Sequence, residues 1–164
     1  MNVTPDSKLL VLIVCTGNTC RSPMAAAALA RELGPEAARV DVRSAGTAAG
    51  EGHPATPAAI ETSARAGVDL SGHRSQRVTA KSLHEAGLVL VMERDHLPTV
   101  TALGADPKRT HVLSEWPNGG EASLPIPDPF GASIEAYEEC WNRICRHVKR
   151  VAPHVREALR ARST

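Results

Sequence analysis

The chain has few aromatic residues and no long apolar run, and both absences exclude whole classes of protein. Two Trp, one Tyr and one Phe are the only aromatics in 164 residues, so recognition by ring stacking has few candidates. The apolar run at 9–14 is too short to span a bilayer or to form the core of a signal peptide. The formal net charge of +1 at pH 7 leaves no electrostatic footprint for nucleic acid or a membrane surface. We therefore expect a cytoplasmic protein with neither partner.

Cysteine is also scarce, and its spacing does not fit a metal site. The four cysteines stand at positions 15, 20, 140 and 145, so neither close pair has the CxxC spacing of most structural zinc sites. In a reducing cytoplasm we expect free thiols.

A chain of 164 residues buries one core and is too short for two. We expect a single domain over 1–164, with a polar extension at 1–7, and no metal.

Short apolar segments alternate with helical patterns along the whole chain. Strands are predicted at 9–14, 39–44, 88–92 and 111–113, and helices at 24–33, 57–66, 79–86 and 95–103. A long closing helix is predicted from 133, with a break near Pro153 left open. The stretch 116–131 contains four prolines and three glycines and is predicted to be a long loop. This alternation indicates a small open α/β sheet, in which ligands bind beyond the carboxyl ends of the strands.

The loop after the first strand, CTGNTCRSP over 15–23, carries the clearest chemical signal. If it wraps into a semicircle, its backbone N–H groups form a nest for a phosphate-like anion at the start of the next helix, where Ser22 is the expected N-cap. Gly17 and Asn18 tolerate the left-handed backbone that such a ring requires. The positive field predicts a lowered pKa for Cys15 and a nucleophilic thiolate, and Arg21 is placed to bind two phosphate oxygens. The alternative is that Cys15 is a small buried apolar residue.

A phosphoryl group leaves easily only if its leaving atom receives a proton, so a carboxylic acid is needed nearby. The predicted long loop offers Asp128, and Pro129 restricts this residue to extended backbone. We assign Asp128 as general acid for the leaving atom and then as base for the hydrolytic water. Taken alone, an Asp-Pro pair is most often part of a turn.

The residues quoted so far resemble the low-molecular-weight protein tyrosine phosphatase family. The resemblance covers nearly the whole chain from Lys8 and includes VCTGNTCRSPMA, SAGT, GVDLSGHRS, LVLVM and DPFG in that order. It implies a three-layer open α/β sheet of four parallel strands with helices on both faces, and a phosphate loop after the first strand. It also implies an enzyme that works without metal or cofactor on phosphorylated protein substrates, with inorganic phosphate as product.

The resemblance assigns roles to residues at matching positions. Cys15 resembles the nucleophile, Arg21 the phosphate clamp and Asp128 the general acid, while Ser22 resembles the loop hydroxyl that binds the thiolate. Cys20 resembles the second cysteine of the loop, which can form a disulfide with Cys15. Three further residues resemble polar supports of the loop: Asn18, Ser44 and His73. The remaining phosphate-binding or substrate-binding positions are Thr16, Gly17, Thr19 and Phe130.

Two positions bear on the phosphoryl donor. Tyrosine-directed members usually have a bulky aliphatic residue where this chain has Thr19, and an aromatic pair where it has Phe130 and Gly131. In this respect the chain is similar to the bacterial protein arginine phosphatase branch. A Thr hydroxyl can orient a water or a guanidinium nitrogen, whereas a branched alkyl group leaves a cation unsolvated. We therefore expect a phosphoarginine phosphatase that acts as a monomer.

Three alternatives stay open at this stage. The first is a phosphotyrosine phosphatase of the same family. The second is an arsenate reductase, although positions 80–132 contain none of the relay cysteines of that branch. The third is a phosphate-binding module without activity, although no member of the catalytic set is missing.

Overall fold

A continuous aliphatic run forms the central strand, β1 (Leu9–Cys15), which is buried along nearly its whole length. The computed structural model describes residues 7–162, so nearly all of the polar extension predicted at 1–7 lies outside the described residues. Three further strands join β1 in one parallel sheet: β2 (Val40–Gly46), β3 (Leu88–Val91) and β4 (Thr110–Val112). Their order is β2-β1-β3-β4. The predicted α/β fold with four parallel strands is therefore confirmed.

Within residues 7–162, five α-helices connect or cover the strands. They are α1 (Arg21–Leu33), α2 (Pro57–Arg65), α3 (Ala80–Glu85), α4 (Leu97–Ala102) and α5 (Ile134–Ala161). Two 3-10 turns lie at Gly34–Arg39 and Arg94–His96. In the described part of the chain, no helix is both long enough and apolar enough to cross a membrane.

Alternate side chains of β1 build two separate cores. Val11 and Ile13 belong to the cluster that contains Leu29 of α1 and Ile144 of α5. Leu12 and Val14 belong to a second cluster, which contains apolar residues of α3 and α4. Since successive strand residues point to opposite faces, this division places helices on both faces of the sheet. The rigid, doubly covered strand β1 thus ends at Cys15.

Several predicted boundaries need correction. Helix α1 begins at Arg21 with Cys20 in the cap position, so Ser22 is not the N-cap, because its hydroxyl faces the loop. The helix predicted at 95–103 is a 3-10 turn followed by the shorter α4. Helix α5 begins after its cap Ser133 and continues across Pro153 without a break. The other helices and strands end within two residues of their predicted limits.

The strand order locates the candidate site. The chain leaves β1 towards β2 on one side, and it leaves β3 towards β4 on the other side. Adjacent parallel strands whose connections run in opposite directions create a crevice at their carboxyl ends. The segments that follow β1 and β3 are therefore the ones expected to hold a ligand.

Candidate active site

The loop between β1 and α1 is a tight ring around the sulfur of Cys15. Asn18 has a φ of 57°, the left-handed conformation that its residue type predicted. Its backbone N–H points to the Sγ of Cys15 at 3.3 Å. The Sγ also lies 2.9 Å from the hydroxyl of Ser22. One backbone N–H and one side-chain hydroxyl thus face the sulfur, while the convergence of several backbone N–H groups on an anion stays a prediction.

Asn18 connects this ring to the rest of the fold. Its side-chain amide donates to the hydroxyls of Ser22 at 2.8 Å and Ser44 at 2.9 Å. Its backbone carbonyl accepts a hydrogen bond from Nε2 of His73 at 2.6 Å, and its Oδ1 accepts one from the backbone N–H of Gln76 at 2.9 Å. The structure brings together the three predicted supports and adds Gln76, which acts through its main chain and left no signal in the sequence.

The ionisation of Cys15 is the main correction to the sequence-based view. Burial raises the pKa of the Cys15 thiol, although hydrogen bonds from Ser22 and Asn18 and the charge of Arg21 lower it. The net direction is upward, so the expectation of a lowered pKa is wrong for this structure. The sequence showed the groups that favour the thiolate, but it did not show that Cys15 is only 3% exposed at the end of a doubly covered strand.

Arg21 is buried under the loop and held from three directions. Its guanidinium forms an ion pair with Glu93 and donates to the carbonyl oxygen of Ile126 at 3.1 Å. A second nitrogen lies 3.7 Å from Oδ2 of Asp128. The structure thus joins the predicted clamp to the predicted general acid. Glu93 was not predicted, although its position just beyond β3, the neighbour of β1, was an available signal.

Asp128 lies at the mouth of the site, in the segment between β4 and α5. Its Oδ1 accepts a hydrogen bond from the backbone N–H of Phe130 at 3.1 Å, which leaves Oδ2 directed towards Arg21. About half of the Asp128 side chain is exposed. The Phe130 ring is 70% exposed and stands beside it. A carboxylate in this position reaches both the loop and solvent.

These residues enclose one cavity of about 200 Å³. Its walls are formed by every residue of the ring together with two residues of the long loop: Cys15, Thr16, Gly17, Asn18, Thr19, Cys20, Arg21, Asp128 and Phe130. Of the predicted site residues, Ser22, Ser44 and His73 lie behind this wall and support it. The cavity combines a buried sulfur, a buried cation and a carboxylate, which is the set that phosphoryl transfer to sulfur requires.

Cys20 contacts two hydroxyl groups that lie outside the ring. Its sulfur lies 3.2 Å from the Tyr137 hydroxyl and 3.5 Å from the Thr56 hydroxyl. Burial and the contact with Cys20 raise the pKa of Tyr137 to about 12. Cys15, Cys20, Cys140 and Cys145 are all free thiols in the structure. A disulfide between Cys15 and Cys20 stays a prediction.

Known proteins resemble the chain over nearly all of its length. The sequence model described as low molecular weight phosphotyrosine protein phosphatase matches residues 10–161. A probable low molecular weight protein-tyrosine-phosphatase, EpsP from Ralstonia nicotianae, is 37% identical over 89% of this chain and 95% of its own length. The protein-arginine-phosphatase of Bacillus subtilis is 32% identical over 92% of this chain and 99% of its own length.

Solved structures agree with the sequence comparison. The tyrosine phosphatase Wzb from Escherichia coli, in complex with sulphate, superposes with a TM-score of 0.77 at 32% identity, covering 89% of this chain and 97% of that one. A mutant of the YwlE arginine phosphatase with a phosphorylated active site serine gives a TM-score of 0.83 at 31% identity, covering 91% and 97%. By its sequence, its sheet topology and its cysteine-containing loop, the chain belongs to the low molecular weight phosphotyrosine protein phosphatase family.

Proposed function

We propose that this protein hydrolyses phosphoarginine in proteins through a phosphocysteine intermediate on Cys15. The observation that supports the proposal most directly is the single cavity in which the Cys15 sulfur, the Arg21 guanidinium and the Asp128 carboxylate meet, with threonine hydroxyls on its wall. The products are a dephosphorylated protein and inorganic phosphate.

In the first step, the thiolate of Cys15 attacks phosphorus and the bond from phosphorus to the leaving nitrogen breaks. Arg21 and the backbone N–H groups of the loop bind the phosphoryl oxygens and offset their charge. Asp128 gives a proton to the leaving nitrogen through Oδ2, since Oδ1 is engaged by the N–H of Phe130. The Ser22 hydroxyl, 2.9 Å from the sulfur, stabilises the thiolate before attack and after release.

In the second step, water attacks the phosphocysteine. Asp128 accepts a proton from this water, the bond between sulfur and phosphorus breaks, and inorganic phosphate leaves. The sulfur returns to the thiolate, and Asp128 is again protonated for the next turnover. Glu93 keeps the buried Arg21 paired and oriented throughout this cycle.

The walls of the cavity support a polar leaving group. Thr16 and Thr19 line it, where aliphatic side chains would present an apolar surface to a phenol. The Thr19 hydroxyl makes a long hydrogen bond of 3.9 Å to the Cys20 sulfur, and it would exchange this weak contact for a guanidino nitrogen of the substrate. A site with hydrogen-bonding groups discriminates against a substrate that cannot use them.

Phosphotyrosine is the second candidate substrate, and one observation favours it. The exposed ring of Phe130 stands at the cavity mouth, where it could stack on a phenyl ring. Two of the similar proteins, EpsP and the Wzb of Escherichia coli, carry names of tyrosine phosphatases. The two candidate substrates differ in their use of Thr16 and Thr19, whose hydroxyls can bind a guanidino group but add nothing to the binding of a phenyl ring.

The test compares kcat/KM for phosphoarginine and for p-nitrophenyl phosphate in the wild type and in Thr19→Ile. We expect the wild type to prefer phosphoarginine and the substitution to shift the ratio by at least about tenfold towards the aryl ester. Thr99→Ile, at an exposed threonine of α4, is the matched control and should leave the ratio unchanged. A wild type that ignores phosphoarginine, or a ratio that Thr19→Ile does not move, would overturn the preference for arginine.

A further inference from the structure

The 3-10 turn after β3 touches the phosphate loop through a buried histidine. The ring of His96 is only 4% exposed. Its Nδ1 lies 3.1 Å from the backbone nitrogen of Glu93, and its Nε2 lies 2.9 Å from the hydroxyl oxygen of Thr16. One side chain therefore bridges the segment that carries Glu93 and the loop that carries Cys15.

These two contacts determine where the ring proton lies. A backbone N–H can only donate, so Nδ1 of His96 is the acceptor and carries no hydrogen. Burial and the charge of Arg21 lower the pKa of His96, and this outweighs the opposite effect of Glu93, Asp95 and Asp128. The ring is therefore neutral at pH 7, with its hydrogen on Nε2, which donates to the Thr16 hydroxyl.

This hydrogen bond orients the Thr16 hydroxyl. Since the oxygen accepts from His96, its own hydrogen is available for another acceptor. Thr16 lines the cavity beside Cys15 and Arg21. Its backbone is held separately, because its carbonyl oxygen accepts from the N–H of Ala48 at 3.0 Å. The loop backbone at Thr16 therefore has a contact of its own that does not involve the Thr16 side chain.

We propose that His96 is a positioning residue that turns the hydroxyl hydrogen of Thr16 into the cavity, where it donates to an oxygen of the bound phosphoryl group. The inference rests on the proposed function and adds one oriented side-chain donor to Arg21 and the loop amides. His96 does not touch the substrate. It acts through Thr16, and the two residues work as a pair.

A double-mutant cycle with Thr16→Val and His96→Asn tests the pair. The Asn Oδ1 stands where Nδ1 of His96 stood and still accepts from the Glu93 N–H, but its amide is too short to reach Thr16. Binding is measured as protection of Cys15 from iodoacetate by inorganic phosphate, which needs no turnover. We expect each single variant to weaken phosphate binding about five- to tenfold and the double variant to weaken it no further.

His96→Gln supplies the rescue. Its amide nitrogen extends to the position of Nε2 and should restore most of the affinity for phosphate, while the Glu93 N–H loses its acceptor. If His96 served only to accept from the Glu93 N–H, the order would be reversed, and His96→Asn would bind phosphate better than His96→Gln. Thermal melts check that each variant is folded before its affinity for phosphate is compared with that of the wild type.

Two kinds of failure are distinguishable. Additive losses in the cycle, or wild-type phosphate binding in His96→Asn, would overturn the pairing of His96 with Thr16 whatever the activity. A wild type that binds phosphate with this coupling but hydrolyses neither phosphoarginine nor p-nitrophenyl phosphate would overturn the proposed function and retain the oriented donor.

Discussion

Cys15 has opposing influences on its charge. Burial disfavours the thiolate, whereas Ser22, the backbone N–H of Asn18 and the guanidinium of Arg21 favour it. Loss of any one of these favourable contacts should therefore raise the pKa of the Cys15 thiol. Of the two hydrogen bonds to the sulfur, the one with Ser22 is the shorter, at 2.9 Å.

Replacing Ser22 with Ala should therefore raise the pKa of Cys15 further, because one hydrogen bond to the thiolate is lost while burial remains. The rate of alkylation of Cys15 by iodoacetamide, followed against pH, measures this shift. Ser71→Ala, at an exposed turn, is the matched control. An alkylation profile in Ser22→Ala that is unchanged or moved to lower pH would contradict the assigned role of the hydroxyl.

At the scale of elements, local sequence predicted the strands and most helices, because apolar runs and turn residues follow directly from burial and backbone preference. The predicted start of α1 was wrong because of a tertiary contact. Ser22 is a good capping residue, but its hydroxyl bonds the Cys15 sulfur and the Asn18 amide instead. The same competition makes Ser22 part of the site.

The sequence predicted the site residues that lie close together along the chain. It missed those that reach the site from another element. Cys15 and Arg21 share one short motif, and their relation could be inferred from spacing. Glu93 and His96 reach Arg21 and Thr16 from the segment after β3. Their place just beyond a buried strand was an available signal, but it did not show which residues they contact. The strand order β2-β1-β3-β4, which sets this meeting, is a property of the whole sheet.

Helix α5 anchors the long segment that carries Asp128. His147 is fully buried, and its Nε2 donates to the carbonyl oxygen of Leu124 at 2.7 Å. Arg143 donates to the carbonyl oxygen of Pro125 at 2.7 Å, and Arg150 donates to that of Leu113 at 2.8 Å. The segment that carries Asp128 is therefore held in part by a neutral histidine inside a helix.

Stability should fall in acid for this reason. Burial lowers the pKa of His147, and it also lowers the pKa of His73, His96 and His111. These groups bind protons more readily in the unfolded chain, so the free energy of unfolding should decrease as pH falls below about 6.5, the ordinary histidine value. Urea unfolding between pH 7.5 and 5.5 measures the slope.

The control for this pH dependence is His147→Gln, whose amide nitrogen can donate to Leu124 without titrating. Its slope should be shallower than that of the wild type. A free energy of unfolding that is constant or increases towards pH 5.5 would contradict the burial of neutral histidines.

At the scale of the whole molecule, every feature converges on the crevice where β1 and β3 end. The sheet holds Cys15 rigidly, α1 begins at the loop, the turn after β3 contributes Glu93 and His96, and α5 holds the segment that carries Asp128. The proposed function uses this arrangement to bind a phosphoryl group next to the sulfur of Cys15. The step on which the proposed function depends most is covalent transfer of that group to Cys15.

The most direct measurement is a denaturing quench during turnover of radiolabelled substrate, followed by mass spectrometry of the peptide that contains Cys15. The account predicts a phosphoryl group on Cys15 in the wild type, a larger amount in Asp128→Asn if hydrolysis of the intermediate slows more than its formation, and none in Cys15→Ala. Full turnover with label on another residue, or turnover that persists in Cys15→Ala, would contradict it.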